Sequence, residues 1–429
     1  MTRATYTLPY GKTSLRLELS QEQVLGCLHT GFAMPLADDE PGLRPHVLAA
    51  LREPIGARPL AEIVTAGDKV VVLANDQTRL ARTELFLPAI LDELNLAGVS
   101  DDAVTVLFAL GAHRPLSPAE MTELVGAEVA RRVQLVNHDC RDQDRLAHVG
   151  QTRRGNEVFV NQLLLDADRV ILTGSIVYHF FAGFGGGRKA VVPGCAALST
   201  IQHNHAMMLD PNAVIGRLDG NPVHEDLLEA AKLVRMDFLL NVVLNEDHQV
   251  VGIFAGDVQA AHLAGCSFVD ALYGVSIEQR ADLVVASCGG WPKDINVYQA
   301  QKTMDNAIQA VRKGGVVILL AQCPEGAGND TYLEWMRRYR SPQAIAHATR
   351  TGFQLGGHKA YAVTRLLAHA EIVMVSDMSE DDVRELLLTP ASSLAEALRL
   401  AETRLGPKPT VLVMPQGSLT LPRAKPDAC

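Results

Sequence analysis

Short apolar runs recur along this chain with helix-length amphipathic stretches between them, and that alternation constrains the fold more than any other feature. Lys69 to Ala74, Ala103 to Leu110, Val133 to Asn137 and Arg169 to Thr173 are strand-like, while Glu84 to Leu96 and Pro118 to Ala130 are helix-like. Strands alternating with helices predict βαβ units, a parallel sheet with helices on both faces. Asp226 to Val234 reads as a further helix. A second such unit opens near Ala281, with Asp282 to Ala286, Gly315 to Leu320 and Glu371 to Val375 as strands and Asn296 to Val311 as a helix. Thr410 to Met414 is a last strand, and Leu15, Leu17 and Leu19 alternate behind a hairpin turn at Tyr10-Gly11-Lys12-Thr13. The expectation is an α/β chain of two domains with parallel-rich sheets. Residues 1–277 form the first and 278–407 the second, and a tail from about 408 to 429 returns to the first.

Composition narrows the function classes. With 429 residues, 48% hydrophobic and 21% charged, the chain can bury sizeable cores. Its formal charge of −10 gives no support to a nucleic-acid partner, so an anionic ligand must be drawn by a local cluster of cations. Met1 to Tyr6 carries no apolar core of signal-peptide length. The longest apolar stretch, Val170 to Gly187, is broken by Tyr178 and His179, so no membrane span is expected. Seven cysteines without a C-x-x-C pair read as free thiols in a reducing compartment, and a cytoplasmic location is expected.

In open parallel sheets, ligands bind beyond the carboxyl ends of the strands. Three strand ends run into Asn75-Asp76-Gln77-Thr78-Arg79, Gly111-Ala112-His113-Arg114 and Tyr178-His179. Any one of these fits a loop cap or a structural histidine, but together they suggest one shared site. The densest segment is His179 to Lys189, where Gly183, Gly185, Gly186 and Gly187 precede Arg188-Lys189. Glycines with adjacent cations suit a phosphate cradle; the plainer alternative is a surface loop with solvated basic residues. The segment is neither a Walker loop nor a dinucleotide fingerprint, because Ala190 follows the lysine and Arg188 stands where the fingerprint needs glycine. His203 and His205 sit at i and i+2, so at most one serves a given metal from a helix, and surface histidines are the plainer reading. Tyr298 and Lys302 share a helix face and suit either a carboxylate clamp or an ordinary polar edge.

Taken in order, Asp76-x-Thr78-Arg79, Gly111-x-His113-Arg114, His179 to Lys189 with Pro193-Gly194, Asn204-His205, and Gly289-Gly290-x-Pro292-x-Asp294 through Lys302 closely resemble the nickel-pincer lactate racemase family. The resemblance spans nearly the whole chain and implies two α/β domains with the active site in the cleft between them. It implies a nickel-pincer nucleotide, a pyridinium-3-thioamide-5-thiocarboxylic acid mononucleotide holding nickel, tethered at Lys189. His205 would be the protein's nickel ligand. Asp76, Gln77, Thr78 and Arg79, with Gly186, Gly187 and Arg188, would bind the cofactor. His113 and His179 would be the acid–base pair, and Arg79, Tyr298, Gln299 and Lys302 would hold the substrate. The implied activity is racemisation or epimerisation of a 2-hydroxy acid by reversible hydride transfer through a 2-keto acid, with cofactor-biosynthesis enzymes as partners. Two alternatives stay open: a nucleotide-dependent 2-hydroxyacid dehydrogenase and a non-catalytic cofactor- or metal-binding homologue. Two places depart from the family pattern: Leu80 replaces a proline, and Gly356-Gly357-His358-Lys359 lies where a substrate-facing tryptophan is expected.

Overall fold

The computed structural model describes residues 2–351 and 357–424. Its contacts divide the chain into two compact units, Phe32–Ala271 and the pairing of Met1–Gly31 with Leu272–Cys429. Each unit is built on a six-stranded sheet.

In the Phe32–Ala271 unit the sheet order is Val250–Gly256, Phe238–Leu244, Arg169–Ser175, Val70–Ala74, Val104–Phe108, Gln134–Asn137. Every pairing is parallel except that of the Val250–Gly256 edge. The Val70–Ala74 strand is buried along its whole length, as a central parallel strand covered on both faces must be. Thr83–Leu96 packs on the sheet through Phe86, Ile90 and Leu94, all fully buried. The strand after Val70–Ala74 is laid on one side of it and Arg169–Ser175 on the other. The chain therefore reverses its order between these two strands, where the loops at their carboxyl ends diverge and leave a crevice. The helical run at Pro118 to Ala130 is divided at Gly126 (φ +85°) into Pro118–Val125 and Ala127–Arg132.

The second unit has the order Thr389–Ala391, Glu371–Val375, Val311–Leu320, Ala281–Ser287, Val411–Met414, Val24–Cys27, all parallel. The opening hairpin pairs Arg3–Tyr10 with Thr13–Ser20 across a turn at Gly11 and Lys12. Its Leu8 and Leu17 are fully buried in one cluster with Val285, Ile318 and Val413.

The expected boundaries need correction on this point. The first 31 residues belong with the C-terminal unit, because the hairpin closes that unit's core and Val24–Cys27 forms the edge of its sheet. The tail strands also lie in this unit, and Val411–Met414 is next to Val24–Cys27 in its sheet. Val411–Met414 pairs with Ala281–Ser287, and Leu421–Ala424 with Gly274–Ile277. Among the described residues no helix is long and apolar enough to cross a membrane. Six cysteines there (27, 140, 195, 266, 288 and 323) are free thiols.

Candidate active site

The loops leaving Val70–Ala74, Val104–Phe108 and Arg169–Ser175 bring most of the expected residues to one rim of the Phe32–Ala271 unit. Asp76 follows the first strand and is 4% exposed. One of its carboxylate oxygens makes a short hydrogen bond with Nδ1 of His113; the other accepts from the Thr78 amide (3.1 Å) and hydroxyl (2.7 Å). Burial alone would raise the Asp76 carboxyl, but His113, Thr78 and the charge of Arg79 outweigh it and hold the group below the usual carboxylate value. Arg79 donates to the Thr78 hydroxyl at 3.0 Å, and Ser175 ties the same loop down by donating to the Leu80 carbonyl at 2.9 Å. A carboxylate on Nδ1 puts the proton there and leaves Nε2 as the basic nitrogen of a neutral His113.

His179 is set up the other way. The Ala182 amide donates to its Nδ1 at 3.3 Å, so in the neutral ring the proton sits on Nε2, which lies 3.4 Å from the Lys189 amine. The Phe181 ring meets the His179 ring edge-on at 4.6 Å, the His205 ring at 5.0 Å, and lies 5.7 Å from the Lys189 Nζ. Lys189 is only 8% exposed. Burial pushes its amine well below the ordinary lysine value, and the charges of Arg79 and Arg188 push the same way. His205, also 8% exposed, lies on Leu198–Ala206. That helix is fixed through its neighbour Asn204, which donates to the fully buried Asp226 at 2.9 Å; Thr152 and Asn156 donate to the same carboxylate.

Other residues depart from the expectations. Glycines 186 and 187 have φ of +71° and +56°, and a Cβ on Gly187 would lie 2.7 Å from the His262 ring. The Gly187 amide donates to the Asn241 side chain at 2.8 Å. These glycines therefore serve a tight, buried turn, and the Gly187 N–H is not offered to a phosphate. Arg188, expected among the cofactor ligands, is 1% exposed and turned inward, donating to the Ala182 carbonyl at 3.0 Å. The surface-loop alternative fails with it. Gln77 is exposed, and with its amide oriented to suit both neighbours it donates to Glu120 (3.0 Å) and accepts from Arg114 (2.9 Å).

Tyr298, Gln299 and Lys302 belong to the other unit, on the helix Val297–Ala310. The Asn296 side chain caps that helix by accepting from the Gln299 amide at 3.0 Å. Lys302 is exposed, and the Lys359 ammonium lies 4.5 Å from the centre of the Tyr298 ring. Lys359 is thus in place beside an expected substrate residue. Gly357 abuts the buried Trp335, and Gly356 lies outside the described residues. Sequence reasoning missed the Asp76–His113 pairing, the Phe181 bridge and the His262, His224 and Cys266 cluster behind Arg188. Only Phe181 had a visible signal, its place beside His179.

Residues 10–216 match the lactate racemase N-terminal domain family, and residues 277–420 the lactate racemase C-terminal domain family. The chain belongs to the lactate racemase family. The lactate racemase of Thermoanaerobacterium thermosaccharolyticum is 33% identical, the match covering 98% of this chain and all of that one. That of Lactiplantibacillus plantarum is 32% identical over 96% of this chain and 97% of its own. The solved lactate racemase apoprotein of T. thermosaccharolyticum superposes with a TM-score of 0.89 at 33% identity, covering 98% of this chain and all of that one. A Thermotoga maritima protein shares the fold at a TM-score of 0.65 and 20% identity, over 92% of this chain and all of its own. Membership makes the chain an isomerase of the racemase type.

Proposed function

We propose that this racemase interconverts the enantiomers of a 2-hydroxy acid by hydride transfer, using a nickel-pincer nucleotide joined to Lys189. The buried Lys189 amine carries the reading, because a lysine that loses its proton in an apolar, cationic pocket is a nucleophile able to form such a bond. The residues fit the group in a second respect. Among the described residues no three His, Cys, Asp or Glu side chains cluster as a metal site, so nickel bound by His205 must draw its other ligands from a cofactor. Lys189 would tether that cofactor, His205 would meet its metal, and Arg79 with Thr78 would line it.

The bound group supplies a hydride acceptor that the side chains lack, which matters because the α-hydrogen beside a carboxylate is barely acidic. The chain's own work is proton handling and orientation. His113, held by Asp76, takes the substrate hydroxyl proton at Nε2, and Asp76 stabilises the imidazolium that results. His179 handles the hydroxyl proton of the opposite enantiomer, and with Nδ1 accepting from the Ala182 amide its exchanging nitrogen is Nε2. In their neutral forms the two rings carry opposite tautomers, one with a lone pair at Nε2 and one with a proton there. Arg79 would hold the substrate carboxylate.

The test follows α-deuterated substrate in ordinary water with cofactor-loaded enzyme. Hydride transfer keeps the deuterium in the racemised product; washout to hydrogen would reject this chemistry in favour of proton abstraction at carbon. Scanning a panel of 2-hydroxy acids in the same assay identifies the substrate.

A further inference from the structure

The Asp76–His113 hydrogen bond joins two loops that leave neighbouring strands, and a second tie joins the same loops one residue further along each. Gln77 follows Asp76, and Arg114 follows His113. The Arg114 guanidinium forks onto Glu120, donating to one carboxylate oxygen at 2.9 Å and to the other at 2.5 Å. Gln77, with its amide oriented to suit both neighbours, closes the triangle by donating to Glu120 at 3.0 Å and accepting from Arg114 at 2.9 Å.

Glu120 is itself fixed. It is the third residue of the helix Pro118–Val125, where its side chain accepts from the Ser117 amide at 2.8 Å and its own amide donates to the Ser117 hydroxyl at 3.3 Å. Glutamate and glutamine serve equally in such a capping box, so helix initiation does not account for a carboxylate that also grips an arginine. Arg114 and the Ser117 amide hold the Glu120 carboxyl down to about 2, so it stays charged at neutral pH. Stability does not account for the fork either, because the Arg114 side chain is 60% exposed and exposed ion pairs contribute little. What a fork does supply is orientation, since two parallel N–H···O bonds fix direction as well as distance.

We infer that Glu120 is a positioning residue for the acid–base pair: gripping Arg114 and Gln77 from a capped helix, it holds the two loops at the separation the Asp76–His113 hydrogen bond requires. This rests on the His113 role proposed above. What the grip secures is the proton on Nδ1 of His113, and with it the direction of the Nε2 lone pair.

The experiment isotopically labels the histidine nitrogens of the full chain, without cofactor, and reads the His113 tautomer by NMR at about pH 9, where imidazole is neutral. His113→Gln assigns the signals. The wild-type ring should carry its proton on Nδ1. Glu120→Gln keeps the capping box and should release the ring to a mixture containing the Nε2–H form; Arg114→Met should do the same from the other loop. In cofactor-loaded protein each substitution should slow turnover about tenfold with little change in KM, and the two together should cost no more than either alone. A wild-type ring protonated on Nε2 overturns the inference without any variant having to fold. So does an unchanged Nδ1 tautomer in folded Glu120→Gln or Arg114→Met, and so do additive effects of the two substitutions. Normal turnover by His113→Gln would instead reject the acid–base reading, a separate failure from that of the ring's positioning, which the tautomer decides without cofactor.

Discussion

Asp76 and His113 act as one unit. The carboxylate is ionised across the working range because His113, Thr78 and Arg79 outweigh its burial. Asp76→Asn keeps the shape but removes the charge that fixes the Nδ1 proton, so turnover should fall about 10²–10⁴-fold with a much smaller change in KM. Steady-state kinetics in both directions would check this; unchanged turnover would remove Asp76 from proton transfer. The sign for stability follows from its lowered value: the contribution is present above the ordinary carboxylate range and is lost as pH falls through the lowered one. At this scale the sequence was informative about which residues gather and poor about which way they point. Asp76, His113 and His179 could be read from strand ends. The inward turn of Arg188 could not, because basic side chains beside glycines look alike whether they face a ligand or a core.

At the scale of elements, the glycine turn and the two helices behind it are held by buried polar groups. Asp226 accepts from Thr152, Asn156 and Asn204, and so clamps the helix bearing His205 against Pro222–Ala231. Asp226→Ala would strand three buried donors and should lower stability by about 3 kcal/mol or more, measurable by urea unfolding. A loss below about 1 kcal/mol would mean the clamp is not formed. His224 and His262 are buried neutral, with values pushed down to about 3 by burial and by Arg188. The unfolded chain protonates both below about pH 6.5 while the folded one does not, so stability should fall on acidification, by up to about 1.4 kcal/mol per pH unit for each ring. His262→Phe should flatten that dependence. Strands and helices were legible where the 2- and 3.6-residue periods were long. Phe238–Leu244 was not read as a strand, although it is buried along its whole length like Val70–Ala74, which was.

For the whole molecule, the strand–helix alternation revealed two α/β units but not their membership. What recruits Met1–Gly31 to the C-terminal unit is pairing between Val24–Cys27 and Val411–Met414, nearly four hundred residues apart, and no local pattern encodes it. A fragment of Phe32–Ala271 should therefore fold cooperatively alone. Adding residues 1–31 to it should bring no stability, because Leu8 and Leu17 would lack their core. Equal or lower melting temperature for the longer fragment is expected; a clear increase would restore the simpler boundary. The central claim is the lysine-borne cofactor, and intact mass with nickel analysis, on protein produced together with a nickel-pincer cofactor pathway, tests it most directly. An adduct mapping to Lys189 with bound nickel, absent from a Lys189→Ala variant, is expected. An unmodified chain, from cells in which a known lactate racemase is loaded in parallel, would contradict it.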